Sequence, residues 1–149
     1  MRVAIPYVRC VYLAGSIDGI SKTESQSWRV IAYDQLSMLG IVSTVPGLET
    51  VKLNSQQIVK LDNNMIHLSD AILINLNFLT AVNDKRLGTG SLCELGMGLA
   101  WGKLIIGFID GGVLPDHCKF LSGSCDKVVS TLDEAINEIE IINGVASRK

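Results

Sequence analysis

Apolar residues come along this chain in short unbroken runs separated by longer stretches of helical period. Val8 to Ala14 is the first run and reads as a strand entering the turn Gly15-Ser16-Ile17-Asp18-Gly19. Ser21 and Glu24 fit a capping box. Trp28, Ile31, Ala32, Gln35, Leu36 and Leu39 then recur at helical spacing until Gly40 ends the helix. Ile41 to Val45 is a short second strand, stopped by Pro46-Gly47. Ser55 is placed to cap a second helix, with Ile58, Leu61, Met65 and Leu68 marking its buried face. Ala71 to Leu76 is a third strand and Phe78 to Gly90 a long loop, of the kind compact domains keep for function. Ser91 to Gly102 reads as a third helix and Lys103 to Ile109 as a fourth strand. Lys127 to Ser130 is a fifth strand. Thr131 and Glu134 form another capping box, opening a last helix through about Ile142 before a loose tail, Gly144 to Lys149.

Strand alternating with helix throughout means a parallel sheet covered on both faces, with right-handed crossovers. The expected fold class is a three-layer α/β domain, one unit over residues 1–149, since no repeat or linker interrupts the order. The alternation does not fix the strand order. With 48% apolar residues, 19% charged and a net charge of −2, the chain offers no electrostatic footprint for a nucleic-acid polymer. No apolar stretch approaches the length of a membrane span and no signal peptide opens the chain, so the expectation is a cytoplasmic protein with no membrane partner. Cys10, Cys93, Cys118 and Cys125 include no CxxC pair, and His117-Cys118 with Cys125 matches no common zinc spacing, so no metal is expected.

The chemistry-bearing stretch is Gly88-Thr89-Gly90-Ser91-Leu92-Cys93-Glu94-Leu95-Gly96. It lies between a buried strand and a helix, where open α/β sheets bind ligands. Backbone amides at a helix start favour an anion there, either a phosphate or the Glu94 carboxylate itself. The stretch lacks the lysine of a P-loop and does not fit the dinucleotide GxGxxG pattern. No nucleophile elbow and no Ser/His/Asp set is present, which leaves carboxylates to carry any chemistry. The first strand brings Tyr12 and the Gly15 turn to the carboxyl edge, and the third brings Asn75. Asp70 stands at the start of that third strand, which by simple geometry puts it at the opposite edge. Asp62, on the second helix off the Ile58–Leu61 face, reads as solvated surface. Three readings stay open on these residues. Glu94 attacks or stabilises an anomeric carbon, or it grips a ribose in a non-catalytic nucleotide-binding protein, or it caps its own helix.

The ordered set Tyr12-Leu-Ala-Gly-Ser16, Asp62 and Asp70 eight apart, Ala71 to Leu76, Gly-Thr-x-x-x-x-Glu-Leu-Gly and Gly102-Lys103 resembles the nucleoside 2-deoxyribosyltransferase family. That superfamily includes the 2'-deoxynucleoside 5'-phosphate N-hydrolases and related nucleotide N-glycosidases. The similarity runs from Tyr12 to Asp110, with Val128 to Ile136 like the family's final strand and helix. It implies a flavodoxin-like fold with a five-stranded parallel sheet, and it calls for no cofactor. It implies Glu94 as the nucleophile that takes the sugar at C1', Tyr12 as the residue that holds it, and Asp70 and Asp62 as the acids that contact or protonate the base. Gly15, Ser16 and Ile17 would meet the sugar or its 5' group, with Asn75, Gly88, Thr89, Gly90 and Ser91 also lining the substrate. Trp28 fits helix-core packing better than a base lid. A second base or water then accepts the sugar, so the partners implied are a deoxynucleoside or deoxynucleotide, a free base, and neighbouring copies that share active sites. Ser122 or Ser124 would be the residue donated across that interface. Two departures bear on substrate: Gly88 stands where the nucleotide hydrolases place a phosphate-binding serine, and Asp18 where they place an arginine. Both favour an unphosphorylated nucleoside.

Overall fold

The computed structural model describes residues 7–17, 21–47, 52–77 and 89–147. Five parallel strands, β1 (Cys10–Ala14), β2 (Val42–Thr44), β3 (Ala71–Asn75), β4 (Leu104–Phe108) and β5 (Lys127–Val129), form one sheet in the order β2-β1-β3-β4-β5. The helices are α1 (Lys22–Met38), α2 (Ser55–Leu68), α3 (Thr89–Ala100), α4 (Lys119–Ser124) and α5 (Leu132–Ser147). This is the three-layer, flavodoxin-like arrangement expected from the sequence. Its strand order reverses direction between β1 and β3, the switch point at whose carboxyl edge open α/β sheets bind ligands.

Alternation along β1 explains the layers. Val11 and Leu13 face α1 and α5 in one apolar core with Ala32, Leu36, Ile136 and Ile139. Tyr12 and Ala14 face the other way, into a second core with Ile66, Leu95 and Leu121 from α2, α3 and α4. β3 is buried on both faces from end to end, as its continuous apolar run requires. Gly98 lets α3 lie directly on β3, since a Cβ there would stand 2.2 Å from Ile72 Cδ1.

The helix starts are local chemistry. Ser21 and Glu24 close a reciprocal capping box on α1, at 3.1 and 3.0 Å. On α2 the cap is Asn54 with Gln57, one residue before the expected Ser55. Before α5, Thr131 Oγ1 accepts from the Glu134 amide, while the Glu134 carboxylate accepts from the Ser130 amide. The expectation of a loose tail from Gly144 is corrected: α5 runs on to Ser147, and Asn143 is bonded in both directions to the Val8 backbone, at 2.7 and 2.8 Å. The expected buried face of α2 is corrected as well. Ile66 is its one fully buried residue, while Ile58, Leu61 and Leu68 are exposed, Leu68 by 76%. No helix among the described residues is long and apolar enough to cross a membrane.

Candidate active site

Tyr12 is the middle residue of β1, fully buried, and its side chain rises between α2 and α3. Its hydroxyl donates to Glu94 Oε1 at 2.8 Å, across 82 residues of sequence. Glu94 sits in the sixth position of α3, beyond the first turn, and is 9% exposed. The helix-capping reading of Glu94 therefore fails, because the helix starts at Thr89 and its orphan amides lie at that end. A buried carboxylate held by a phenol is costly to build, and its partner is an atom that cannot take its proton.

Burial pushes the Glu94 carboxyl up to about 7. The Tyr12 hydrogen bond pulls the other way, the Asp62 carboxyl reinforces the rise, and the Arg29 guanidinium opposes it. Burial, followed by the Glu94 charge, holds the Tyr12 phenol far above its ordinary range, so it remains a donor at any working pH. Asp62 is half-buried on α2, and its carboxyl adds to the rise of the Glu94 carboxyl. The expectation that Asp62 is solvated helix surface is corrected by this position.

Asp70 is elsewhere. Its carboxylate accepts from the Arg9 and Cys10 amides, at 2.8 and 3.0 Å, and so completes the hydrogen bonding of the chain entering β1. Asp126 does the same for the Ile105 amide at the head of β4. Both acids lie at the amino edge of the sheet. A five-residue strand separates Asp70 from the carboxyl edge, roughly 16 Å at the usual rise. The structure does not bring Asp70 to Glu94; the acid it brings near Glu94 is Asp62.

The remaining candidates divide in the same way. Gly15 follows β1 directly, packed so that a Cβ would lie 3.0 Å from the Trp28 ring and 3.4 Å from Asn75 Cβ. Ser16 is buried, and its hydroxyl has no hydrogen-bond partner among the described residues. Ile17 is half-buried beside Gly47. Asn75 ends β3, where its Oδ1 accepts from the Asn77 amide and carboxamide, both at 3.0 Å. Ser91 is buried one turn before Glu94, and Thr89 and Gly90 begin the same helix instead of ending a loop. Gly88, Asp18 and the segment 78–88 lie outside the described residues. Trp28 packs edge-on against Phe108, with centroids 5.5 Å apart, and belongs to the α1/α5 core. The Ser124 hydroxyl donates to the Phe120 carbonyl within α4, and Ser122 is exposed. No group of three His, Cys, Asp or Glu suited to a metal occurs among the described residues.

Arg29 is the residue that the sequence analysis missed. It is wholly buried on α1, yet its guanidinium makes three hydrogen bonds, to the carbonyls of Leu13, Gly15 and Ser25. It also lies 4.9 Å from the Trp28 ring. The available signal was spacing: Ser25, Trp28, Arg29, Ala32 and Leu36 form one helical stripe, and all are buried.

No family model matches the chain, and a search of curated proteins by sequence gives no match either. Solved structures share its fold. A 2-deoxyribosyltransferase from Leishmania mexicana superposes with a TM-score of 0.67 at 17% identity, covering 89% of this chain and 97% of its own. A conserved protein from Enterococcus faecalis V583 gives 0.64 at 16% identity, with the same coverage. The Clostridium botulinum CMP N-glycosidase BcmB gives 0.59 at 17% identity, covering 89% of this chain and 98% of its own. The arrangement is thus the fold of the deoxyribosyltransferases.

Proposed function

We propose that this chain cleaves the N-glycosidic bond of 2'-deoxyribonucleosides through a glycosyl ester on Glu94. The observation that carries the reading is the buried Tyr12–Glu94 hydrogen bond with Asp62 alongside. It supplies an oriented nucleophile and, within reach of it, an acid. Two fold neighbours are named for related chemistry, a 2-deoxyribosyltransferase and an N-glycosidase of the ribonucleotide CMP.

In this mechanism the ionised Glu94 oxygen attacks C1', and the C1'–N bond breaks with its electron pair going to the base. Asp62 gives the base its proton. Tyr12 holds the carboxylate in line and keeps its second lone pairs occupied, so that attack comes from the oxygen facing the sugar. Water or a second base then attacks C1' and releases Glu94, and its proton returns to Asp62. The low-dielectric setting strengthens each of these interactions.

The unphosphorylated nucleoside is favoured over its 5'-monophosphate by what surrounds the Gly15 turn. Arg29, which donates to the Gly15 carbonyl, spends its hydrogen bonds on backbone carbonyls. Exposed Ile58, Leu61 and Leu68 on α2, with Leu92 and Leu99 on α3, give a second copy of the chain an apolar face to cover.

The test is base release from a panel of deoxynucleosides and their monophosphates, with and without an acceptor base. Release or transfer from nucleosides, lost in Glu94→Gln, is the expected result. Higher kcat/KM for monophosphates would move the assignment to a nucleotide N-hydrolase, and silence across the panel would leave a binding protein.

A further inference from the structure

One stripe of α2 changes character along its length. Val59, Asn63 and Ile66 follow one another on the same helix face, at spacings of four and three. Ile66 is fully buried beside Tyr12 and Leu95, yet Val59 is 56% exposed. The crossover explains the difference. β2 ends at Thr44 on the carboxyl edge and β3 starts at Ala71 on the amino edge, so α2 begins at the carboxyl edge and descends across the sheet. A cavity of about 450 Å³ opens at those first turns, with Ser55, Gln56, Val59 and Lys60 among its walls, a size suited to a small organic ligand. Below Val59 are two buried oxygens with no hydrogen-bond partner among the described residues, Asn63 Oδ1 and Thr44 Oγ1. Asn63 stands one turn down from Val59. Parallel pairing sets Thr44 beside Tyr12 and on the same face of the sheet, the face that α2 covers. Tyr12 links this place to the carboxylate, since Thr44 is its neighbour on β2 and Glu94 its hydrogen-bond partner. A buried oxygen left unpaired costs stability, so two of them beneath one cavity call for a partner.

We propose that Asn63 and Thr44 form the floor of a base pocket, in which Asn63 Oδ1 accepts a hydrogen bond from the exocyclic amine of adenine or cytosine while Val59 covers the ring. The inference rests on the glycosidase reading and names the class of base that its site takes. A carboxamide oxygen only accepts, so the partner it lacks is an N–H. The exocyclic amine projects beyond the ring and is the base donor that reaches farthest toward a buried acceptor. Beside the amine, the ring nitrogen of adenine or cytosine accepts, and the Thr44 hydroxyl supplies a donor for it. Hypoxanthine and uracil carry a carbonyl oxygen where the amine stands. In the same pose that oxygen faces Asn63 Oδ1, acceptor against acceptor, and both go unpaired. Sites built on buried polar groups discriminate by such a mismatch.

Binding is read in Glu94→Gln, so that turnover does not enter. Calorimetric titration compares deoxyadenosine with deoxyinosine and deoxycytidine with deoxyuridine. The amino member is expected to bind about tenfold tighter in at least one pair. Adding Asn63→Leu should bring that ratio to within about twofold, through lost affinity for the amino member. The same change should not lower the melting temperature, because it removes an acceptor that has no partner among the described residues. A preference that survives Asn63→Leu overturns the proposal. Equal binding within both pairs overturns it too, as does no binding of any of the four nucleosides. Should Asn63→Leu fail to fold, Asn63→Ala is read against the same ratios. Selective binding that Asn63→Leu abolishes, in a wild-type protein that releases no base, would defeat the glycosidase reading alone. Base release by the wild type, with a preference that Asn63→Leu leaves unmoved, would defeat this inference alone.

Discussion

At Glu94 one proton couples chemistry to stability. The group is held up to about 7 in the folded chain against 4.5 for a free glutamate. Below 4.5 both states carry the proton and nothing is lost. As pH rises through 7 the folded state must surrender a proton that the unfolded state gave up earlier, so stability falls and then levels off. Glu94→Gln has no such proton. It is expected to be inactive yet more stable than wild type at pH 8, by roughly 1–3 kcal/mol, with the gap closing toward pH 4.5. Thermal melts across that range check this, and a constant gap would refute it. The two aspartates divide by position. Asp62→Asn should cost orders of magnitude in base release, most for poor leaving bases, with little change in melting temperature. Asp70→Asn should leave turnover close to wild type and lower stability by about 1–2 kcal/mol, since the Arg9 and Cys10 amides lose a charged acceptor. The opposite pattern in steady-state kinetics and melts would restore Asp70 to the site. From sequence the resemblance ranked Asp70 above Asp62, although the direction of β3 already set Asp70 at the opposite edge.

At the scale of elements, what was legible was what local physics writes locally. β1, β3 and β4 show as apolar runs, and Ser21 with Glu24 and Thr131 with Glu134 mark helix starts in both sequence and structure. The 3-10 turn Asp116–Cys118 and helix α4 were not read, because six residues carrying Gly123 show no period to detect. The inner face of α2 was misread for a different reason. An apolar stripe says that a helix face is covered, without saying whether this chain covers it. Arg29 was overlooked because arginine is ordinarily a surface residue. The tightest packing decision lies between α3 and β3. Gly98→Ala would drive a methyl into Ile72 Cδ1 and push α3 off the sheet, carrying Glu94 away from Tyr12. Denaturant melts are expected to lose about 1–3 kcal/mol, and kcat to fall more than KM rises. Unchanged kinetics with lowered stability would mean that α3 yields elsewhere.

For the whole molecule, the exposed apolar stripe on α2 predicts assembly. Leu61→Glu with Leu68→Glu should convert an oligomer to a monomer in sedimentation while leaving far-ultraviolet circular dichroism unchanged. A wild-type chain that sediments as a monomer would remove the second copy from the proposal. The link between Asn143 and Val8 has a further effect, felt in time. Those partners lie 135 positions apart, so a contact that steadies the lead-in to β1 draws on a residue far along the chain. Pairings between residues so distant in sequence form late, after the entropy of closing the intervening chain has been met. The lead-in to the strand bearing Tyr12 therefore gains its clasp only when α5 has docked, which ties the settling of β1 to one of the later steps of folding.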